Sequence, residues 1–388
     1  MTEWEQVSLG RVATITREAV DPGQIDPETA YVGLENILRG GTLANVKAVS
    51  ESGLTSLKFR FTDRHVLFGK LRPYLAKITR PSFGGVCSTD ILPIMPSADL
   101  DRGYLAHFLA TPEMIELANT RATGANLPRL SPTELLKFTL PLPSVAQQRL
   151  IAEVLDQADE LRAKRREALA QLDDLTRSIF LDMFGDLTDA DRWPRLPLGE
   201  VIADTKLGLV RSAEQTGPQL AVPYIRMNAI DLTGKLDLHG VLKTEASRRE
   251  CEEYGLQSGD LLFNTRNSRE LVGKSAVYRG NGSHVFNNNI MRIRFREEAH
   301  PAYVDAALRS RHGKHELELR KAGTTSVFAI YYKALRTLPL PLPPVDLQHA
   351  FAARLDQVER TRKVNQASLA ELDALFASLQ DRAFRGLL

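Results

Sequence analysis

A few short constellations in this sequence carry residue types that chemistry requires. Gly273-Lys274-Ser275 has the ending of a phosphate-binding loop, in which glycine amides cradle a phosphate and lysine neutralises it. That loop needs a second glycine five positions before Gly273, where Ser268 stands, so ATP is not expected to bind there. His312 and His315 lie three residues apart with Glu316 and Glu318 nearby, and such spacing can present two imidazoles to zinc. No further ligand accompanies them, and a solvated helix face is the better reading. The chain has no Asn-Pro-Pro-Tyr run of the kind found in amino-methyltransferases, nor a Pro-Asp paired with a downstream acidic-x-Lys. Two cysteines, Cys87 and Cys251, are too few for a disulfide framework or a metal site, and read as thiols of a reducing compartment. No catalytic residue, metal ligand or cofactor is therefore assigned to the chain.

What remains is chemistry suited to a nucleic acid, where Lys and Arg meet phosphates and a few side chains reach base edges. Lys70, Arg72, Tyr74 and Lys77 form one basic cluster around an aromatic, with Pro73 holding the loop extended. Asn264, Arg266, Asn267, Arg269 and Lys274 form a second, in which Arg suits guanine and Asn suits adenine. Arg292, Arg294 and Arg296 alternate with apolar residues, placing three guanidiniums on one strand face. Two loops complete the candidate set: Thr123–Arg129, with Asn126 and Arg129, and Gly323–Phe328, with Thr324 and Thr325. Each has an ordinary alternative, a strand-end loop or sheet face whose cations are merely solvated. Asn287-Asn288-Asn289 has the residue type to read adenine, but its match to Ser88-Thr89-Asp90 favours a structural turn. Residues 193–339 carry 22 Lys or Arg against 16 Asp or Glu, a net of +6, whereas 4–139 carry 15 against 14. Affinity for a polyanion is thus expected in these two blocks, more in the second.

The elements that position these residues occur twice. Leu140-Pro141-Leu142-Pro143 returns as Leu340-Pro341-Leu342-Pro343, and 18 of the 45 residues in 140–184 recur in 340–384. Upstream, Trp4 and Leu9-Gly10 answer to Trp193 and Leu198-Gly199, Leu67-Phe68 to Leu262-Phe263, and Asp90-Ile91 to Asn289-Ile290. This is an internal duplication. It predicts a globular block over 1–143, a long helix over 144–184, a polar joint at 185–192, a second block over 193–343 and a second helix over 344–388.

Each block alternates short β-rich segments (His65–Phe68, Ile91–Met95, Asp260–Phe263, Ile290–Phe295) with turn residues, and helices are expected at Gly103–Arg121 and Tyr303–Lys321. After each Pro-rich stretch about 40 residues run without Gly or Pro, enough for a helix roughly 60 Å long. Ile151, Val154, Ala158, Leu161, Arg165, Ala168, Leu172, Leu175 and Ile179 follow the three-and-four spacing of a coiled-coil seam. The second copy keeps Phe351, Val358, Asn365, Leu372 and Leu379, supplemented by Leu355, Leu369 and Phe376. If the helices pack antiparallel about a pseudo-two-fold, Arg165 and Asn365 meet in a polar layer that sets register; otherwise both heads reach solvent. The predicted class is α+β: two tandem mixed α/β domains, each followed by a long helix, the helices forming an antiparallel coiled coil. Met1 to Gly10 shows no secretory signal and no apolar run is long enough to span a membrane, so a cytoplasmic location is expected.

The order of these motifs resembles the specificity subunit of type I restriction-modification systems. The motifs are Trp4 with Leu9-Gly10, Tyr31-Val32-Gly33-Leu34-Glu35-Asn36-Ile37, Val66 through Leu75, Ser88-Thr89-Asp90, the Gly124–Leu130 loop, and Leu140-Pro141-Leu142-Pro143 leading through Gln148. The family usually shows Glu-Gln where the helices start, whereas here Ala146-Gln147-Gln148 and Asp346-Leu347-Gln348 keep only the glutamine. The resemblance implies two target recognition domains, each reading half of a split site in double-stranded DNA, with the helices as ruler. It further implies docking of methyltransferase subunits, two being expected, which bring S-adenosylmethionine and methylate adenine. A motor-nuclease subunit using ATP would join for restriction.

Overall fold

In the computed structural model the described residues are 4–38, 40–189, 192–323 and 326–388. They form two compact units, 1–167 with 366–388, and 168–365, so the boundary cuts through both long helices. Each unit holds one globular domain, the first half of one helix and the second half of the other.

Duplication is visible in the sheets. In the first domain an antiparallel sheet runs in the order Ala13–Ile15, Ile91–Pro96, Val66–Gly69, Ile78–Thr79. The second domain repeats that order with Ile202–Leu207, Ile290–Phe295, Leu261–Asn264 and Ser275–Val277. A second sheet in each domain contains one parallel pair, Ala30–Val32 with Gly85–Ser88 and Val222–Ile225 with Val285–Phe286. The repeated Leu-Pro runs close each domain by pairing with its opening strand, Glu5–Ser8 with Thr139–Leu142 and Arg195–Pro197 with Pro339–Pro341.

Two expected helices each prove to be a pair. Arg102–Leu109 and Pro112–Arg121 are separated because Thr111 caps the second helix by accepting from the Met114 amide, with Pro112 at its first position. Pro301–Arg309 and Arg311–Glu318 divide at Ser310, whose hydroxyl accepts from the Gly313 amide. His312 belongs to this second helix and is a correction. It is buried, with Nε2 2.9 Å from the Pro339 carbonyl, so only His315 lies on the solvent face.

The long helices span Val145–Phe184 and Val345–Phe384. In the first unit Arg162 Nε meets Asp373 Oδ1 at 2.6 Å, and its guanidinium lies 4.3 Å from the Phe376 ring centre. In the second, Arg362 Nη2 meets Asp173 Oδ1 at 2.6 Å. In that same unit Arg354 lies 3.9 Å from Asp182, so paired positions advance in opposite directions along the two helix segments, as antiparallel neighbours must. Arg162 and Arg362 are equivalent residues of the repeat, as are Asp173 and Asp373, so the two ion pairs mirror each other. The expected seam did not include them because Arg162 and Asp173 stand one residue past its positions Leu161 and Leu172.

The seam itself differs from the expected one in the first helix. Ile151 and Ala158 are buried, and Leu172 and Ile179 are half-buried, but Leu161 and Leu175 are 53% and 44% exposed. Leu155, fully buried, and Arg162 take the inner stripe instead. A strict coiled-coil seam assumes water on both flanks, whereas here the domain packs against one flank and joins Ile151 and Leu155 to its own core. The second helix follows the same stripe through Phe351, Leu355, Val358, Arg362 and Asn365, with Leu369, Leu372, Phe376 and Leu379 half-buried. Arg165 is half-buried, and Asn365 is buried and donates to the Thr361 carbonyl at 2.8 Å.

Candidate nucleic-acid interface

A buried glutamine ties each helix to its domain. Gln148, fully buried, accepts from the Asp101 amide at 2.7 Å and donates to the carbonyls of Asp99 (2.9 Å) and Pro143 (2.8 Å). Gln348 repeats the pattern with the His300 amide (2.8 Å) and the carbonyls of Glu298 (3.1 Å) and Pro343 (2.8 Å). A primary amide is required, because the site needs one acceptor and two donors at once. Tyr104 adds a second tie by donating to the Pro141 carbonyl at 2.7 Å, as Tyr303 does to Pro341 at 2.5 Å.

One further tie is charged. Asp156 of the first helix receives Arg80 Nη1 at 3.1 Å and faces His107 Nε2 at 2.6 Å. Burial by itself would raise this carboxyl, but the hydrogen bonds from His107 and Arg80 overcome it and hold it far below the ordinary range. A depressed folded pKa contributes stability that is present above the unfolded value, about 4, and is lost as pH falls toward the folded one. Asp156→Asn should therefore flatten the fall of melting temperature with pH below about 4; an unchanged acid slope would contradict the pairing.

With the helices anchored, the strand ends present two loops at one edge of each domain. In the first domain the Lys70 amide donates to the Asp90 carbonyl (2.9 Å), the Leu130 amide to Lys70 (3.0 Å) and the Arg72 amide to Pro128 (2.8 Å). These bonds bring Lys70 and Arg72 beside the Thr123–Arg129 loop, and Tyr74, Asn126 and Arg129 are exposed. Arg72 and Ala76 both have left-handed backbone, φ 52° and 51°, flanking the short turn that leaves Tyr74 52% exposed. Strain of this kind in non-glycine residues collects at functional loops. Arg129 makes a two-point contact with Asp90, Nε to Oδ1 at 2.9 Å and Nη2 to Oδ2 at 3.2 Å, and Lys70 Nζ lies 4.0 Å from the same carboxylate.

Lys77, grouped with these by sequence, is placed otherwise. Its ammonium is hydrogen-bonded to the Leu34 carbonyl, where it pins the Leu34–Asn36 turn. Lys274 does the same work in the second domain, donating to the carbonyls of Met227 (3.1 Å) and Ile230 (2.5 Å), and burial lowers its pKa. The phosphate-loop likeness ends there, since Ser275 donates to Asp305 at 2.7 Å.

At the second domain's edge the structure is selective. Asn264 is fully buried; its amide donates to the carbonyls of Arg266 and Asn289 and accepts from Asn267 at 3.0 Å. It ends the strand Leu261–Asn264 and ties down the turn that follows. Arg266 is exposed, and Arg269 lies over Phe328 with Nε and Nη2 on Glu318 at 2.9 and 2.6 Å. Thr324 and Thr325 lie outside the described residues. The expected stripe of guanidiniums is corrected too. Arg292 is 5% exposed, bonded to Asp204 (2.8 Å) and to the Glu253 and Gly255 carbonyls. Arg294 makes a two-point contact with buried Asp260 (2.7 and 3.2 Å), and Arg296 donates to the Ile202 carbonyl. Arg292 and Arg294 thus hold the sheet to its surroundings, while Arg296 is exposed.

Among the described residues no cluster of three or more His, Cys, Asp or Glu is arranged for a metal ion. Cys87 is buried, which pushes its thiol up to about 12. Among the described residues no helix is long and apolar enough to cross a membrane.

Comparison with known proteins bears directly on the duplicated frame. The family model of the type I restriction modification DNA specificity domain matches residues 1–171. The second half repeats the sheet order and the Leu-Pro closing run of the first. The chain is 26% identical over 327 residues to the type I restriction enzyme EcoKI specificity subunit of Escherichia coli strain K12, spanning 79% of this chain and 68% of that one. The StySPI specificity subunit of Salmonella potsdam is likewise 26% identical over 331 residues, at the same shares. The fold is similar to that of the type I S subunit from M. genitalium, with a TM-score of 0.60 at 13% identity over 98% of this chain and 96% of that one. A chain in a structure describing assembly and conformational transition of a type I system gives 0.59 at 22%, over 100% and 99%.

Proposed function

We propose that this chain is the non-catalytic DNA-recognition subunit of a type I complex, each domain reading one half of a bipartite duplex site. The long helices set the separation of the halves and dock two methyltransferase subunits. Those partners bring S-adenosylmethionine and methylate adenine, and a motor-nuclease partner supplies ATP-driven restriction in the same cytoplasmic complex. Within each domain, the strand-end loops carry the contacts: Lys70, Arg72, Tyr74, Asn126 and Arg129 in the first, Arg266, Asn267, Arg269 and the loop with Thr324 and Thr325 in the second.

One observation carries this reading. The two domains build the same loop frame with different residues at its tip, which is what two readers of different half-sites require. The equivalent bonds in the second domain run from the Thr265 amide to Asn289 (2.8 Å) and from the Ile330 amide to Thr265 (2.9 Å).

Mapping methylated adenines in DNA modified by this chain with its partner methyltransferase tests the proposal. The expected result is a split motif, with one methylated adenine in each half on opposite strands. Exchanging residues 193–339 for another member's block should change one half alone. Binding should weaken steeply with salt, log affinity falling about 0.9 per phosphate contact. Methyl transfer by the purified chain without a partner would overturn the proposal, as would a motif that is not split.

A further inference from the structure

The charged triplet Lys70, Asp90 and Arg129 sits on a frame that the second domain builds without it. Strand register aligns Gly69 and Ile91 with Asn264 and Ile290, and the bonds described above align Lys70 with Thr265 and Leu130 with Ile330. At the three equivalent positions the second domain therefore has Thr265, Asn289 and Ala329. The same backbone bonds close there, so the triplet is not needed to fold the loop. Nor does it contribute much stability, because the Arg129 and Asp90 side chains are 43% and 25% exposed.

What a carboxylate does at this place is fix a guanidinium. Asp90 occupies Nε and Nη2 along one edge of Arg129, and Nη1 makes only a long contact, 3.4 Å, with the Leu127 carbonyl. The terminal edge keeps two parallel N–H donors, one on Nη1 and one on Nη2, the arrangement that matches O6 and N7 of guanine. A phosphate approaching the same arginine would meet the adjacent Asp90 charge, whereas a neutral base edge would not. Resting on the recognition role proposed above, we infer that Arg129 reads a guanine in the half-site of the first domain, with Asp90 as its positioning residue. The second domain, with Ala329 at that place, reads its half by other contacts.

Selection from a random-sequence duplex library by the complex of this chain with its methyltransferase partner tests the inference. The wild-type motif should contain a guanine in the first half. Arg129→Ala and Arg129→Lys should each relax that one position by about 10- to 100-fold and leave the second half intact, since lysine cannot make the two-point contact. Asp90→Asn should lose about tenfold in discrimination at the same guanine while binding random-sequence DNA more tightly, with a salt slope steeper by about one. A uniform loss across sequences in Arg129→Ala, with the slope shallower by about one, would mark a phosphate contact and overturn the inference. So would a first half without guanine, or Asp90→Asn discriminating like wild type. A wild-type complex that enriches no motif at all would instead bring down the recognition role itself.

Discussion

Phe351→Ala should destabilise the second unit by about 3–5 kcal/mol, read as a lower urea midpoint with an unchanged denaturant slope. Phe351 is fully buried, with ring centres 5.6 Å from Phe180 and 5.3 Å from Phe184, and Phe184 sits 4.9 Å from Tyr303. Edge-on aromatic contacts add to the area buried, and no neighbour can fill the space by a rotamer change when all are buried rings. This cluster is where the end of the first helix and the start of the second meet the domain, so its loss should free both helix segments. Ile151 stands at the equivalent place in the first copy, and Phe351→Ile should cost less than half as much as alanine. A loss below about 1 kcal/mol for alanine would mean that the cluster collapses around the gap, contrary to this packing argument.

Gln348→Leu is expected to cost about 3 kcal/mol for a different reason. Leucine fills the volume, but the His300 amide and the Glu298 and Pro343 carbonyls lose the fully buried side chain that partners them. A buried group left without a partner carries its full desolvation penalty. Gln148→Leu should behave alike in the first unit. Amide exchange reports the local effect, with the His300 amide accelerating in Gln348→Leu; unaltered protection there would sink the prediction. Because this amide ties helix to domain, the recognition role proposed above predicts loosened half-site spacing alongside the lost stability.

The two effects illustrate what can be read from residues and what cannot. The second glutamine of the helix start was visible as an identity between repeats, yet nothing local says that it spans a helix and the loop before Pro301. Strands such as Ile290–Phe295 were legible because alternation and turn residues are local signals. The breaks at Thr111 and Ser310 escaped because the flanking helices share one apolar pattern, and a single capping hydroxyl ends a turn without disturbing it. Leu161 and Leu175 fitted the seam by spacing, but spacing cannot tell which flank a domain will cover.

The candidate interface separates along the same line. Lys77, Lys274, Arg292, Arg294 and Asn264 had the right types for DNA, and folding uses each of them on a backbone or carboxylate far away in the chain. Arg292 finds Asp204 across 88 residues and Lys77 finds Leu34 across 43. A period of two or of 3.6 carries no information about such partners. From sequence alone came the duplication, the order of domain and rod, and the places where cations and amides gather, because these depend on local pattern and on comparing one half with the other. Which of those cations remain available to a ligand was decided only by tertiary structure, because a buried charge must be satisfied by whatever the fold brings beside it.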